Sequence, residues 1–162
     1  MKTNIIETKR LVLRDFIEKD IIYLKKILKD KDVMKFSIKG PCNDLEIESL
    51  FKTFIEDQKK YGFGAMAISL KDADKWIGFC GVFRGKINDF GYRLFKEYWN
   101  KGYATEAISA CKNYLKKKFP DQSFYCYIDE ENKASIKIAE KTKMKCLGQG
   151  NQPWPKCIKY YF

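Results

Sequence analysis

The stretch that decides the fold is LFKEYWNKGYATEA, residues 94–107. Its first half continues a strand, and its second half begins a long helix that we predict over residues 102–118. The first N–H groups of a helix have no partner within the helix, and the helix dipole places partial positive charge there. Gly102 and Ala104 leave the backbone accessible, and Lys101 adds a charge. The turn therefore suits an anion such as a pyrophosphate, although an ordinary strand-to-helix turn has the same pattern.

The sequence around this turn predicts a β-α-β unit. Strands over residues 88–95 and 123–128 flank the long helix, so they should run parallel with a right-handed crossover. A helix over 132–143 and strands near 144–148 and 156–162 complete this half of the chain. Ligands favour the carboxyl ends of the strands at such a junction.

The first half of the chain predicts two helices and an antiparallel meander. Residues 9–15 alternate polar and apolar side chains, as a half-buried strand does. Asp15 and Asp44 are the expected N-caps of helices over 17–30 and 44–60. The elements expected after them are a helix stop at Gly62, strand 63–70, turn 71–74, strand 75–83 and turn 84–86.

Length and composition suit one folded domain over residues 1–162. Domains usually have roughly 100–200 residues, and this chain has 162. Hydrophobic residues make up 45% and charged residues 33%, which excludes a disordered or collagen-like chain. We predict a mixed α/β (α+β) fold: a mostly antiparallel sheet with one parallel β-α-β pair, and helices on both faces.

The positive charge is made mainly of lysine. Lys and Arg number 32 against 21 Asp and Glu, which gives a net charge of +11. Lysine is a point charge that solvates any surface, whereas arginine dominates the bidentate recognition of bases and phosphates. We therefore expect no nucleic-acid partner, although the charge favours acidic or phosphorylated ligands. The arginines are Arg10, Arg14, Arg84 and Arg93.

The residues that are missing exclude several kinds of site. The chain has no histidine, which removes Ser-His-Asp and Cys-His catalysis, histidine-containing zinc sites and any histidine base. We expect no metal. The six cysteines form no C-x-x-C pair, which indicates free thiols in a reducing compartment. The opening residues lack a signal-peptide pattern and no window approaches ~20 apolar residues, so we expect a cytoplasmic protein without a membrane partner.

Four motifs in order along the chain resemble one family. NKGYATEA at 100–107 resembles the acetyl-CoA pyrophosphate loop of the GNAT N-acetyltransferase superfamily, written Q/R-x-x-G-x-G/A, with Trp99 in the Q/R position. ETKRLVLR at 7–14 resembles the T-x-R-L-x-L-R strand of its RimJ/RimL-like branch. The remaining matches are FGY at 90–92, for I-G-Y, and NKASI at 132–136 with EK at 140–141, for N-x-A-S-x-x-x-x-E-K. Together they cover nearly the whole chain and imply the GNAT acyl-CoA N-acyltransferase fold.

The chain departs from the family pattern in two places. The E-K motif usually continues into Leu-Gly-Phe, whereas residues 142–144 read TKM. Because the glycine is lost, we expect a different turn there. Many relatives also place a tyrosine four residues after the position of Ser135 to protonate the leaving thiolate, and this chain has Ala139 there.

The resemblance implies that acetyl-CoA is the co-substrate and lies between the two parallel strands where they splay apart. Its pantetheine amides would pair with backbone groups of Tyr92, Arg93 and Leu94, and a backbone N–H there would polarise the thioester carbonyl. Asn132 would contact the cofactor arm, cap the helix that follows, or do both. The expected pyrophosphate residues are Trp99, Asn100, Lys101, Gly102, Tyr103, Ala104 and Thr105.

Two side chains are candidate catalytic residues by the same resemblance. Asp89 matches a glutamate of the branch and is either the base that deprotonates the amine or a solvated strand-end carboxylate. Ser135 matches a serine that faces the cofactor sulfur, although it could also be an ordinary helix-surface serine. Transfer in this superfamily is direct, so we expect Cys111 and Cys126 to be core residues rather than nucleophiles.

The implied activity is direct transfer of an acetyl group to a primary amine, in the first place a protein N-terminal α-amino group. A small amine such as a polyamine or an aminoglycoside is the alternative acceptor. Outside the enzyme class, the chain could be an acyl-CoA-binding protein without catalysis or a nucleic-acid-binding module. We expect a monomer or a homodimer, and the sequence leaves the acceptor open.

Overall fold

The fold is one mixed sheet with helices on both sides. The computed structural model describes residues 4–83, 89–150 and 155–162. Within that part the strands are β1 (Ile5–Glu7), β2 (Leu11–Asp15), β3 (Ala65–Leu70), β4 (Lys75–Phe83), β5 (Asp89–Leu94), β6 (Tyr125–Asp129), β7 (Lys145–Gly150) and β8 (Cys157–Tyr161). The α-helices are α1 (Ile21–Lys29), α2 (Asp44–Tyr61), α3 (Tyr103–Lys118) and α4 (Lys133–Lys141).

The strand order confirms the predicted topology. All eight strands form one sheet in the order β1-β2-β3-β4-β5-β6-β8-β7. Among the described strands β5 and β6 pair in parallel and every other neighbouring pair is antiparallel. The helix α3 connects β5 to β6, as the β-α-β prediction requires.

The two faces of the sheet carry separate hydrophobic cores because side chains alternate along each strand. On β3, Met66 and Ile68 join the core that includes residues of α3 and α4. Ala65 and Ala67 join the core that includes residues of α1 and α2. Within the described residues no helix is both long and apolar enough to cross a membrane.

The prediction that Asp15 caps the first helix is wrong. Asp15 ends β2, and its carboxylate accepts hydrogen bonds from the backbone and side-chain amides of Asn4 (2.8 to 3.1 Å). A short 3₁₀ turn intervenes, in which the fully buried Asp20 accepts two bonds from the guanidinium of Arg14 (2.7 and 2.9 Å). This buried pair redirects the chain, so α1 begins only at Ile21.

The second helix is also capped by a neighbour of the predicted residue. Asn43, not Asp44, is the N-cap, since its side chain accepts from Glu46 N (3.0 Å) and its own N–H donates to the Glu46 carboxylate (2.9 Å). Gly62 ends the helix as predicted, with φ of 68° in the left-handed region. The predicted turn at 84–86 lies outside the described residues.

The turn after α4 keeps a glycine-like conformation without a glycine. Lys143 has φ of 56°, and the N–H of Met144 bonds back to the carbonyl of Ala139 (3.0 Å). The expectation of a different turn is therefore wrong. The side chain of Lys112 supports the turn by donating to the carbonyls of Thr142 (2.5 Å) and Lys143 (3.2 Å).

Replacing Lys143 by glycine should stabilise the protein by about 0.5–1 kcal/mol, because glycine adopts positive φ without the steric cost of a Cβ. Urea unfolding would show a higher midpoint with an unchanged slope. As a control, Lys141→Gly lies within α4 and should destabilise by about 1 kcal/mol. Equal destabilisation by both changes would contradict the account of this turn.

Candidate functional site

The two parallel strands diverge directly after they meet. β5 and β6 share one register pair, Asp89 with Tyr125, in the part of the chain that the structure covers. β5 continues beside β4 to its end, so its other edge is left without a strand partner. An unpaired edge at the carboxyl end of a parallel strand is where an extended ligand can hydrogen-bond to the main chain.

The orientation of the β5 backbone follows from one hydrogen bond. Phe95 N donates to the carbonyl of Ile77 on β4 (3.0 Å). Because N–H and C=O groups alternate between the two sides of a strand, those of Tyr92 and Leu94 point away from β4 into the gap. Arg93 differs from the prediction, since its backbone groups are turned to β4 and cannot pair with a ligand in the gap.

Two side chains already donate hydrogen bonds to backbone carbonyls on this edge. The guanidinium of Arg93 donates to the carbonyl of Tyr92 (2.7 Å), and the indole N–H of Trp99 donates to the carbonyl of Leu94 (2.8 Å). The N–H groups of Tyr92 and Leu94 therefore remain as the donors that face the gap. Trp99 fastens the end of β5 to the turn that follows it.

The predicted pyrophosphate residues, 99–105, form one continuous turn into α3. Asn100 and Gly102 have φ of 58° and 79°, and the first helical bond runs from Glu106 N to the Gly102 carbonyl (3.1 Å). The N–H groups of Tyr103 and the two residues after it thus have no acceptor within the helix, and no side chain caps this helix end. These donors fit an anionic group, as predicted.

Residues from the first two strands hold this turn in place. Glu106, in the first turn of α3, accepts from the Thr8 hydroxyl (2.7 Å), the Arg10 N–H (2.9 Å) and Arg10 Nε (2.7 Å). Arg10 Nη1 also donates to the Lys101 carbonyl (3.0 Å), and the guanidinium carbon lies 4.4 Å from the ring centre of Tyr103. The Thr and Arg of the N-terminal motif therefore act together on the anion-binding turn.

The Glu106 carboxylate stays ionised in this arrangement. Burial alone would raise its pKa, but the hydrogen bonds from Thr8 and Arg10 and the positive charge of Arg10 together lower the pKa below its usual value. The helix dipole also stabilises a negative charge in the first turn of a helix. The connection between β2 and α3 thus persists at neutral pH.

A pair of hydroxyl groups lies on the α4 side of the gap. The Tyr92 hydroxyl is 2.9 Å from Ser135 Oγ, and burial raises the pKa of Tyr92 above its ordinary value. Asn132 is the N-cap of α4, with its side chain accepting from Ser135 N (3.2 Å). Ala139 is buried in the core. The structure thus places a tyrosine hydroxyl from β5 beside Ser135, while α4 has Ala139 at the position where many relatives have a tyrosine. The motif comparison did not identify this hydroxyl.

Asp89 stands on the opposite face of the sheet from Tyr92, because the two positions are three residues apart on one strand. The two predicted catalytic side chains, Asp89 and Ser135, are therefore on different sides of the gap. Cys111 and Cys126 are buried, as expected for core residues. Burial, followed by the charge of Asp89, raises the pKa of Cys126 to about 12, so this thiol is protonated at neutral pH.

The family model described as the acetyltransferase (GNAT) domain matches residues 10–145. The chain belongs to the GNAT acetyltransferase family. It is thus an acetyl-CoA-dependent N-acetyltransferase, and the predicted GNAT fold is confirmed.

Relatives of this GNAT protein cover nearly all of its length or all of it. The uncharacterized N-acetyltransferase YnaD of Bacillus subtilis strain 168 is 29% identical and matches 97% of this chain and 94% of its own. An acetyltransferase structure from Agrobacterium tumefaciens C58 covers 100% of this chain and 95% of its own, with a TM-score of 0.88 at 20% identity. The ribosomal L7/L12 α-N-protein acetyltransferase RimL in complex with coenzyme A covers 98% and 97%, with a TM-score of 0.78 at 19% identity. The two solved structures share the fold of this chain.

Replacing Arg10 by methionine should raise the KM for acetyl-CoA about tenfold and leave kcat within about a factor of two, because it removes bonds that hold the anion-binding turn and touches no reacting group. Steady-state kinetics with varied acetyl-CoA would measure this. Lys9→Met changes an exposed neighbour on the same segment and should leave both constants unchanged. An unaltered KM in the Arg10 variant would show that the turn holds its shape without this side chain.

Proposed function

We propose that this GNAT protein transfers the acetyl group of acetyl-CoA directly to the α-amino group of a protein N-terminus. The observation that carries the proposal is the gap between β5 and β6, which has main-chain donors along one edge and the N-terminus of α3 at its end. The neighbouring structure named as a ribosomal-protein α-N-acetyltransferase supports a protein N-terminus as the acceptor.

The cofactor is expected along the predicted set of residues, with two changes. The N–H groups of residues 100–105 would hold the pyrophosphate, with Lys101 adding positive charge, whereas the Trp99 N–H already donates to the Lys96 carbonyl (3.1 Å). The N–H groups of Tyr92 and Leu94 would bond the pantetheine arm, and Asn132 would lie beside it. Arg93 contributes through its side chain instead, because its guanidinium orients the Tyr92 carbonyl (2.7 Å).

The residues around the gap divide the chemistry between its two sides. Acetyl-CoA supplies a thioester carbon that the amine attacks and a sulfur that leaves as a thiolate. The Tyr92 N–H stabilises the negative charge that develops on the carbonyl oxygen. Asp89, on the side away from α4, takes a proton from the amine. An α-amino group has a pKa near ~8, so a weak base suffices.

The Tyr92 hydroxyl returns a proton to the leaving sulfur. It takes the place of the tyrosine that is Ala139 in this chain, and it lies with Ser135 on the α4 side of the gap (2.9 Å between the oxygens). Burial raises its pKa, so the hydroxyl keeps its proton across the neutral range and is available as an acid.

A panel of acceptors tests this proposal. Release of the coenzyme A thiol is measured with peptides that have a free or a blocked α-amino group and with polyamines and aminoglycosides. The free peptides should react, with kcat/KM rising up to a pH near ~8, whereas a lysine acceptor would follow its own pKa near ~10.4. Turnover of small amines alone would favour the alternative acceptor class. Binding of acetyl-CoA without release of thiol above background would indicate a non-catalytic acyl-CoA-binding protein.

A further inference from the structure

The sheet face that carries Asp89 is covered by helices over only part of its width. The core formed with α1 and α2 includes residues of β3 and β4, and among the described residues it includes none from β6, β7 or β8. On those three strands Cys126 and Tyr160 turn to the other core. The side chains at the alternate positions of these strands point to the opposite face and form a distinct surface. We call it the tyrosine–lysine face, and its residues are Tyr125, Tyr127, Lys145, Lys159 and Tyr161.

The tyrosine–lysine face is continuous with the acetyl-transfer gap. Register pairs join Asp89 to Tyr125, Tyr125 to Tyr161, and Tyr161 to Lys145, across four neighbouring strands. The rings of Tyr125 and Tyr161 are 6.3 Å apart. Three strand spacings of about 4.8 Å make a row of about 14 Å, the length of roughly four extended residues. The row therefore starts beside Asp89, at the end of the gap where β5 and β6 still pair.

The ammonium groups of the lysines on this face lie over tyrosine rings rather than beside carboxylates. Lys159 Nζ lies 4.2 Å from the ring centre of Tyr125 and 5.6 Å from that of Tyr127, and Lys145 Nζ lies 5.7 Å from that of Tyr161. Within the described residues neither lysine is within 4.0 Å of a carboxylate oxygen. The three tyrosines and Lys159 are partly exposed and Lys145 is exposed. Both ammonium groups are therefore available to an anionic ligand.

Arg93 adds a third positive charge on the same side of β5 as Asp89, four residues further along the strand. Its guanidinium bonds the Tyr92 carbonyl and the Ser37 hydroxyl (3.0 Å), and its buried Nε has no partner among the described residues. Among the described residues the negative charges on this face are Asp89 and Asp129, and the Asp129 carboxylate accepts the N–H of Glu131 (2.9 Å). In the described part of this face the cations thus outnumber the carboxylates.

We propose that the tyrosine–lysine face binds the residues that follow the N-terminal residue of a protein acceptor and selects acidic ones. This inference rests on the proposed N-terminal acetylation. The tyrosine rings would carry the extended backbone, while Lys159 and Lys145 meet carboxylates at positions two to four. The same charges disfavour polyamines and aminoglycosides, which are polycations.

Three peptides of equal length test the selection. All begin with serine and differ at positions two to four, which are acidic in the first, the matching amides in the second and lysines in the third. The acidic peptide should exceed the amide peptide in kcat/KM by about tenfold at low salt, as expected for a few exposed ion pairs. The difference should shrink as salt is added, and the lysine peptide should react most slowly.

A matched pair of variants locates the effect. Lys159→Gln should reduce the ratio of kcat/KM between acidic and amide peptides severalfold. Lys117→Gln, which removes the same charge from an exposed position on α3, should keep the ratio. A ratio that both variants preserve would overturn the assignment to this face.

The failures of the two proposals can be told apart. Equal kcat/KM for all three peptides, with the α-amino group acetylated, overturns the selection and leaves the N-terminal acetylation intact. If only small amines react, both proposals fail. A single-stranded oligonucleotide that competes with the acidic peptide, and loses affinity in Lys159→Gln but not in Lys117→Gln, would assign the face to nucleic acid instead.

Discussion

Replacing Gly102 by valine should lower kcat/KM for acetyl-CoA by about 100-fold or more, mainly through weaker binding. Gly102 has φ of 79°, where a β-branched side chain is strongly strained. A Cβ at this position would lie 3.3 Å from Arg10 Nη2, the group whose neighbour Nη1 holds the Lys101 carbonyl. The substitution therefore displaces both the turn and the Arg10 side chain that is hydrogen-bonded to it.

Gly62→Val is the matched control for Gly102. It has a similar φ of 68°, and the heavy atom nearest to an added Cβ would be the flexible end of Lys118 at 3.7 Å. Both variants should lose stability in urea, but only Gly102→Val should lose affinity for acetyl-CoA, measured by calorimetry on the folded protein. Equal affinities in the two variants would show that the N-terminus of α3 does not hold the cofactor.

Replacing Tyr92 by phenylalanine should lower kcat by about 100-fold, the range of one general acid, while the KM for acetyl-CoA changes little. The change removes the hydroxyl beside Ser135 and keeps the ring and the backbone N–H that faces the gap. Because burial raises the pKa of Tyr92, the wild-type rate should show no falling limb below about pH 10, the ordinary tyrosine value. Rate measurements across pH test both points.

Two further variants separate the acid from a structural role. Tyr114→Phe removes another partly buried tyrosine hydroxyl, which donates to the side chain of Asn4 (2.6 Å) far from the gap. It should cost about 1 kcal/mol of stability and leave kcat unchanged. Ser135→Ala should lower kcat only severalfold, since the Tyr92 hydroxyl remains. A Tyr92→Phe enzyme with the wild-type kcat would rule out Tyr92 as the acid.

The elements that the sequence predicts well are those set by local chemistry. The anion-binding turn follows from Gly102 beside the start of a helix, and the parallel pair follows from a long helix between two strands. The caps were misplaced by one residue or more, because Asn43 and Asp44 can both cap and tertiary bonds decide between them. Strand β1 has three residues, too short to show an alternating pattern.

The contacts that shape the site join distant parts of the chain and so escape local patterns. Arg10 and Glu106 are 96 positions apart, and Tyr92 and Ser135 are 43 apart. Strand alternation correctly predicts that the Tyr92 ring lies on the same face as Phe90 and Leu94. Its meeting with α4 depends on how that helix packs, which only the folded structure gives.

The most direct test of N-terminal acetylation uses one peptide that contains both kinds of amine. The peptide begins with a free serine α-amino group, continues with acidic residues and carries one internal lysine. After incubation with the enzyme and acetyl-CoA, fragmentation mass spectrometry locates the acetyl group. The proposed function predicts one acetyl group on the α-amine and none on the lysine. Acetylation of the lysine alone, or of neither amine while a polyamine is turned over, would contradict it.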